Sequence, residues 1–376
     1  MTITSPNSVL ILGAGVSAPF GLSLGVDMIE VLRKAIGLEL KQFRESGNLS
    51  SFTLQQKVQH SANTCGGFKT FPIIGALART HVHDGQIDWA AMDASLSDLK
   101  TLEGLLDGQT SETIDDFIVE NPSYALHSKI GIASAFMKRC YDNDDRKLSV
   151  RTFQNRYCST DRNPSNRNWI HLLINIVRQG IREHEVSAEN KIKIITFNYD
   201  SILEYVLENQ FSNTERRTAH YSNYIDIIHV HGQCGDLTDT NLPAKTCLEW
   251  AQGIHVVNEP DVPENVQEAR EKAAALVKHA EELYFCGFSF AGPNCRLLGL
   301  DSELSARSNR MISICNYDGN VGISKTVRKY EERYPKGSAV NKARCKTGID
   351  EIAGTRSEPV GVSDWLKIGA LGELPG

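Results

Sequence analysis

Short runs of consecutive apolar residues, rich in β-branched side chains, recur along the chain between longer segments with helical spacing. A strand with one solvated face alternates apolar and polar residues, whereas a strand buried on both faces is apolar throughout. The runs in this chain are of the second kind. Because predicted helices separate them, we expect a parallel sheet with helices on both faces. The predicted strands are residues 8–12, 192–197, 226–231, 283–286 and 311–315.

Helical periodicity predicts the segments between these strands. One helix begins near Ala18 and runs through Leu32, and others cover residues 169–177, 201–208 and 263–282. In residues 37–168 apolar residues recur at spacings of three and four, and convincing strand alternation is missing. This long segment is therefore predicted to be a mostly helical insertion.

The predicted fold class is α/β, with a Rossmann-like, doubly wound parallel sheet and a large helical insertion. Residues 1–36 and 169–335 would form the domain that contains the sheet, and residues 37–168 the insertion. The charged and Gly-rich residues 336–376 are expected to form a peripheral C-terminal segment.

Composition and charge exclude several classes of protein. The chain has 376 residues, of which 41% are hydrophobic and 23% charged, as in ordinary globular proteins. Its net charge of -6 argues against direct binding of nucleic acid, which usually requires a basic surface. No apolar run approaches the roughly 20 residues needed to span a bilayer, so no membrane association is expected. The nine cysteines include no Cys-x-x-Cys pair, which favours free thiols in a reducing cytoplasm.

A glycine-containing turn follows the first predicted strand. Gly13 and Gly15 flank Ala14, and Ser17 lies just before the predicted helix. Glycines at this position let backbone N–H groups approach a pyrophosphate at the positive end of a helix. The third glycine of the dinucleotide-binding fingerprint is replaced by Ala18. A tight turn without a ligand therefore remains the alternative.

Polar residues directly follow the second and third predicted strands. Asn198 offers a donor and an acceptor for ribose hydroxyls or a water, and Asp200 could accept a hydrogen bond from an amide; helix capping is the alternative for both. His231 ends its strand and could act as a general base, although a lone histidine is more often structural. His229 lies on the same side of that strand but farther from its end, and we interpret it as structural.

Two later segments add candidate contacts for a nucleotide. Gly287 and Ser289 follow the fourth predicted strand and suit close contact with phosphate or ribose. Asn316 follows the last strand and could bind an adenosine ribose or the adenine edge. Taken singly, each of these residues also fits an ordinary loop.

These segments resemble, in the same order, the core motifs of the sirtuin family. The turn at residues 13–17 is similar to the family's Gly-Ala-Gly-Ile-Ser, and residues 196–200 to its Thr-Gln-Asn-Ile-Asp. His231 begins a His-Gly pair like that of the family, and residues 287–289 resemble its Gly-Thr-Ser. The resemblance covers the sheet and its loops but neither the insertion nor the C-terminal segment.

The departures from the family pattern point to one branch of it. Deacetylating sirtuins carry paired cysteines that hold zinc after the His-Gly pair, whereas Cys234 and Cys247 stand alone here. The Asn-Tyr-Asp triplet around Tyr199, the missing zinc module and the helical insertion resemble bacterial sirtuin-like effectors of phage defence. Members of that group hydrolyse NAD and are controlled by oligomerisation or a partner protein.

The resemblance implies that the chain cleaves the bond between nicotinamide and ribose, with NAD as substrate and no metal. His231 would be the general base, Asn198 would orient the ribose or the attacking water, and Asp200 would hold the nicotinamide carboxamide. A homo-oligomer and a separately encoded ATPase or helicase-type partner would be expected. An NAD-dependent protein deacylase and a non-catalytic subunit that binds NAD or ADP-ribose remain alternatives. The residues implied to bind the dinucleotide are Gly13, Ala14, Gly15, Ser17, Asp200, Gly287, Ser289 and Asn316.

Overall fold

The protein is described by a computed structural model that covers eleven stretches of the chain. These are residues 3–17, 25–45, 55–56, 58, 71–109, 111, 113–140, 169–212, 220–235, 246–300 and 311–315. The candidate site residue Asn316 lies outside them, as do residues 18–24, in which the first helix was predicted to begin.

Five parallel strands form the central sheet. They are β1 (Ser8–Leu12), β4 (Ile192–Thr196), β5 (Ile225–His229), β6 (Glu282–Cys286) and β7 (Met311–Cys315), and a separate hairpin contains β2 (Val82–His83) and β3 (Gln86–Ile87). The sheet order is β5-β4-β1-β6-β7, and every neighbouring pair is parallel. The sequence prediction of an α/β, Rossmann-like parallel sheet is confirmed.

Ten α-helices in the described ranges accompany the strands. They are α1 (Gly25–Glu45), α2 (Pro72–Thr80), α3 (Trp89–Asp107), α4 (Ile114–Glu120), α5 (Ala125–Cys140), α6 (Trp169–Arg182), α7 (Ile202–Ser212), α8 (Thr246–Gln252), α9 (Glu264–His279) and α10 (Gly292–Leu297). None of the helices in the described part of the chain is long and apolar enough to cross a membrane.

The two faces of the sheet belong to two hydrophobic clusters. Alternate residues of a strand point to opposite faces, so Val9 and Ile11 lie in one cluster and Leu10 and Leu12 in the other. The smaller cluster is covered by α9, which contributes Ala273 and Val277. The larger cluster includes side chains from α1, α6 and the helices of the insertion. The sheet is therefore buried on both faces, which explains why its strands carry apolar residues on both sides.

The insertion shares structure with the sheet domain. Helix α1 continues through the predicted boundary between residues 36 and 37 to Glu45, because its buried positions Ile36, Leu40 and Phe43 keep the same helical spacing. The insertion is helical in most of its described part, but it also contains the β2–β3 hairpin, which the sequence interpretation did not include. The hairpin is short and turns at Asp84 and Gly85, both with positive φ.

Candidate functional site

The register of the sheet brings the candidate residues to one edge. Leu12 pairs with Thr196, Thr196 with His229, and Leu12 with Cys286 on the other side. The strands therefore end level with one another, and the loops that follow them meet. In open α/β sheets, ligands bind at this edge, at the point where the strand order reverses. Here the reversal occurs at β1, which lies between β4 and β6.

A small cleft opens beside the ends of β1, β4 and β5. It contains about 290 Å³ of space not filled by atoms, part of it open to solvent. Its polar lining includes Ser17, Asn198 and Asp200, which the sequence predicted as site residues, together with Glu204 and His229. The apolar lining comes from the end of β1, the turn that follows it, α6 and α7. Its residues are Leu12, Val16, Trp169, Ile170, Ile202 and Leu203.

The glycine turn packs directly against the loop that follows β6. Gly13 N–H donates to the Cys286 carbonyl at 3.0 Å, and Gly15 N–H donates to the Gly287 carbonyl at 3.1 Å. A Cβ atom on Gly15 would lie 2.7 Å from the Gly287 Cα, and Gly287 itself has a φ of +61°. The close approach of two backbones therefore accounts for these glycines without a ligand. This favours the interpretation as a tight turn, and a role in phosphate binding stays a prediction.

A hydrogen-bonded chain joins the three predicted residues in the cleft. The Asn198 side-chain amide Nδ2 donates to Ser17 Oγ at 2.8 Å, and that hydroxyl donates to Asp200 Oδ2 at 2.8 Å. Asp200 Oδ1 also accepts the Ile202 N–H at 3.2 Å, so Asp200 caps the start of α7. Burial raises the pKa of Asp200, while the bonds from Ser17 and Ile202 oppose that shift.

The amide of Asn198 is fixed in one orientation with its oxygen unused. Because Nδ2 donates to Ser17, Oδ1 points away from that hydroxyl, and it is buried without a hydrogen-bond partner in the described part of the chain. The side chain is 8% exposed. Leaving a buried acceptor unpaired costs about 1–3 kcal/mol, which a bound donor group would recover.

His229 and Glu204 form a buried pair beside this chain. His229 Nδ1 donates to the Asn198 carbonyl at 3.1 Å, since a carbonyl can only accept. Its Nε2 bonds Glu204 Oε1. Burial alone would lower the pKa of His229, but the bond and the charge of Glu204 outweigh it, so the pKa is raised. Both ring nitrogens are therefore occupied, and His229 fixes the backbone at Asn198.

His231 lies beyond the end of β5 and does not line the cleft. Its ring is packed against Phe197 and Tyr199, with centroids 5.2 and 5.6 Å away. Nδ1 donates to the His255 carbonyl at 3.0 Å, while Nε2 is buried and makes no hydrogen bond of standard geometry within the described ranges. Burial lowers the pKa of His231, with a contribution from Arg270 in the same direction, whereas an interaction with the Asn294 side chain opposes it. The imidazole is therefore neutral near pH 7.

The remaining predicted residues are less closely associated with the cleft. Ala14 lies in a short 3-10 turn (Ala14–Val16), Gly287 contacts that turn, and Ser289 is exposed. Sequence reasoning did not include Glu204, although Asp200 directly precedes the predicted helix of residues 201–208 and Glu204 lies four residues later, in its first turn. Cys234 and Cys247 are buried and form no disulfide, and no group of three potential metal ligands occurs among the described residues.

In comparisons with known proteins, no family model and no curated protein matches the chain.

Proposed function

We propose that the protein is an NAD hydrolase that cleaves the nicotinamide–ribose bond to give nicotinamide and ADP-ribose. The observation that carries the proposal is a pair of buried polar atoms after two neighbouring strands. Asn198 Oδ1 follows β4 and His231 Nε2 follows β5, and neither makes a hydrogen bond of standard geometry in the described part of the chain, although the Asn294 side chain interacts with the His231 ring. An acceptor that orients a hydroxyl or water and an unprotonated imidazole are the groups that such a hydrolysis needs.

The proposed reaction balances with water as the only co-reactant. The bond between the anomeric carbon and the pyridinium nitrogen breaks, and its electron pair leaves with nicotinamide. A water adds to the anomeric carbon and gives up a proton, which His231 Nε2 accepts. General base catalysis of this kind is typically worth 10²–10⁴-fold in rate.

Asp200 fits the leaving group. The Asp200 carboxylate can accept a hydrogen bond from the carboxamide of nicotinamide, while Ser17 keeps its orientation. The enclosed part of the cleft has room for about one water molecule, and the rest of its empty space is open to solvent. Nicotinamide would therefore bind in the open part of the cleft. The resemblance to sirtuins assigns the other end of the dinucleotide to Gly13, Ala14, Gly15, Gly287, Ser289 and Asn316.

The biological role follows from the same resemblance. Bacterial sirtuin-like effectors hydrolyse NAD during phage infection, so we propose a cytoplasmic antiviral protein that acts by depleting NAD. Control by homo-oligomerisation, or by a separately encoded ATPase or helicase-type partner, belongs to the same proposal. NAD is the substrate, and no metal is required.

Product analysis by chromatography tests the proposal. Purified protein incubated with NAD should release nicotinamide and ADP-ribose in equal amounts, and a chelator should not change the rate. His231→Ala and Asn198→Ala should each abolish the release. His83→Ala, which changes an exposed histidine in the β2–β3 hairpin, should leave it unchanged.

Other products would identify the alternatives. Release of nicotinamide that depends on an acylated peptide would favour a deacylase. NAD that stays intact after long incubation, alone and with an ATPase encoded by a neighbouring gene, would favour a non-catalytic binding subunit.

A further inference from the structure

A hydrogen bond joins the helical insertion to the candidate site. Asp115 lies in the first turn of α4, and its Oδ1 accepts a hydrogen bond from the hydroxyl of Tyr199. Tyr199 is the middle residue of the Asn-Tyr-Asp segment, so this bond joins the insertion to the loop that carries Asn198 and Asp200. Thr113 caps α4 by accepting the N–H of Asp116.

Tyr199 transmits this contact to His231 in two ways. The Tyr199 ring centroid lies 5.6 Å from that of His231. The Phe197 ring also packs against His231, with centroids 5.2 Å apart and an interplanar angle of 69°. The Tyr199 carbonyl also accepts the Cys234 N–H at 2.6 Å, which holds the chain just after His231. Tyr199 is 9% exposed and His231 is 1% exposed, so neither ring has room to turn freely.

Charged and polar groups around His231 come from several elements. Arg270 of α9 donates to the Val230 carbonyl at 2.9 Å and lowers the pKa of His231. Asp115 acts in the opposite direction, as do the His255 carbonyl and Asn294. The insertion therefore supplies the one carboxylate among the groups that raise the pKa of His231.

We propose that Asp115 and Tyr199 are positioning residues for His231, so that the insertion controls the general base of the sheet domain. Asp115 anchors the tyrosine hydroxyl, and the tyrosine ring and carbonyl hold the imidazole and the chain beside it. A partner or a second copy of the chain that displaces α4 would then change the site without touching the substrate. The assignment of His231 as base depends on the proposed function, whereas its coupling to Asp115 does not.

Titration of His231 separates the coupling from catalysis. The imidazoles are labelled with ¹⁵N, and the His231 resonance is assigned by its loss in His231→Gln. Asp115→Asn keeps an acceptor for Tyr199 but removes the charge, so the titration midpoint of His231 should move to lower pH.

Tyr199→Phe keeps the ring and the carboxylate but removes the hydroxyl that anchors the ring to Asp115. With NAD as substrate, that variant should lose about 10²-fold in kcat with little change in KM, because a misplaced base slows the reaction without weakening binding.

Asp116→Asn is the matched control, because Asp116 lies on the same turn of α4 and bonds Thr113 instead of Tyr199. It should change neither the midpoint nor kcat. A His231 midpoint that is the same in Asp115→Asn and in Asp116→Asn would overturn the proposal. A midpoint that shifts as expected in a protein that leaves NAD intact would support the coupling and contradict the proposed hydrolysis.

Discussion

At the scale of single residues, the proton between His229 and Glu204 makes stability depend on pH. The pKa of His229 is higher in the folded state than its unfolded value of about 6.5. The protein therefore takes up a proton when it folds at a pH between these two pKa values. The stabilisation is fully present below the unfolded pKa and is lost as the pH rises through the folded pKa. Glu204→Gln removes the carboxylate. The free energy of unfolding of the wild type should therefore exceed that of this variant by about 1–3 kcal/mol at pH 6, and by less at pH 9. Urea unfolding at the two pH values measures the difference.

A second histidine–glutamate pair, between Glu208 of α7 and His220, provides the control. His220 Nε2 lies 2.7 Å from Glu208 Oε2, but the histidine side chain is 52% exposed. Exposed pairs contribute at most about 1 kcal/mol, so Glu208→Gln should have a small effect at both pH values. A cost of Glu204→Gln that is equal at pH 6 and pH 9 would show that the buried pair holds no extra proton.

At the scale of elements, α1 and α5 meet through a residue without a side chain. A Cβ atom on Gly131 would lie 2.1 Å from Leu32 Cδ1, and Leu32 is fully buried. Gly131→Ala should therefore destabilise the protein, because overpacking costs about 1–3 kcal/mol and exceeds the gain in helix propensity of about 1 kcal/mol. In a Leu32→Ala background the space is free, and the same substitution should become neutral or stabilising. Unfolding free energies of the four proteins give this coupling directly.

Gly104→Ala is the matched change on α3, where a Cβ atom would meet nothing within 4 Å. It should stabilise both backgrounds by about 0.5–1 kcal/mol. Equal effects of Gly131→Ala with and without the Leu32 side chain would mean that the two helices do not pack as described.

The elements were easier to predict than the site because they depend on local patterns. Continuous apolar runs such as residues 9–12 become central strands wherever both faces of the sheet are covered. The site depends on contacts between distant segments, which periodicity does not contain. Asn198 and Ser17 are 181 residues apart, and Tyr199 and Asp115 are 84 apart. The glycines give a second example. The sequence pattern at residues 13–15 predicted a turn, but it did not predict that the Gly287 backbone occupies the space next to Gly15.

At the scale of the whole molecule, sheet and insertion share the larger hydrophobic cluster. The larger cluster contains Leu10 and Ile194 from the sheet together with Ile73, Phe117 and Ile130 from the insertion. Neither part buries its apolar face without the other, so neither is expected to be stable alone. The shared cluster also connects α4 to the strands. Displacement of α4 would therefore disturb the packing of the sheet as well as the Asp115–Tyr199 hydrogen bond.

We therefore expect thermal unfolding to occur in one cooperative step. Far-ultraviolet circular dichroism and tryptophan fluorescence should give the same midpoint, since Trp89 begins α3 in the insertion and Trp169 begins α6 beside the cleft. Phe117→Ala, a change in the insertion that should cost about 3–5 kcal/mol, should lower both midpoints together. The contradicting outcome is an insertion that unfolds separately from the sheet. It would be seen as two resolved transitions, and Phe117→Ala would lower the midpoint of the first transition only. That result would mean that the shared cluster does not couple the insertion to the sheet, and that the predicted domain boundary near residue 37 is also a boundary of stability.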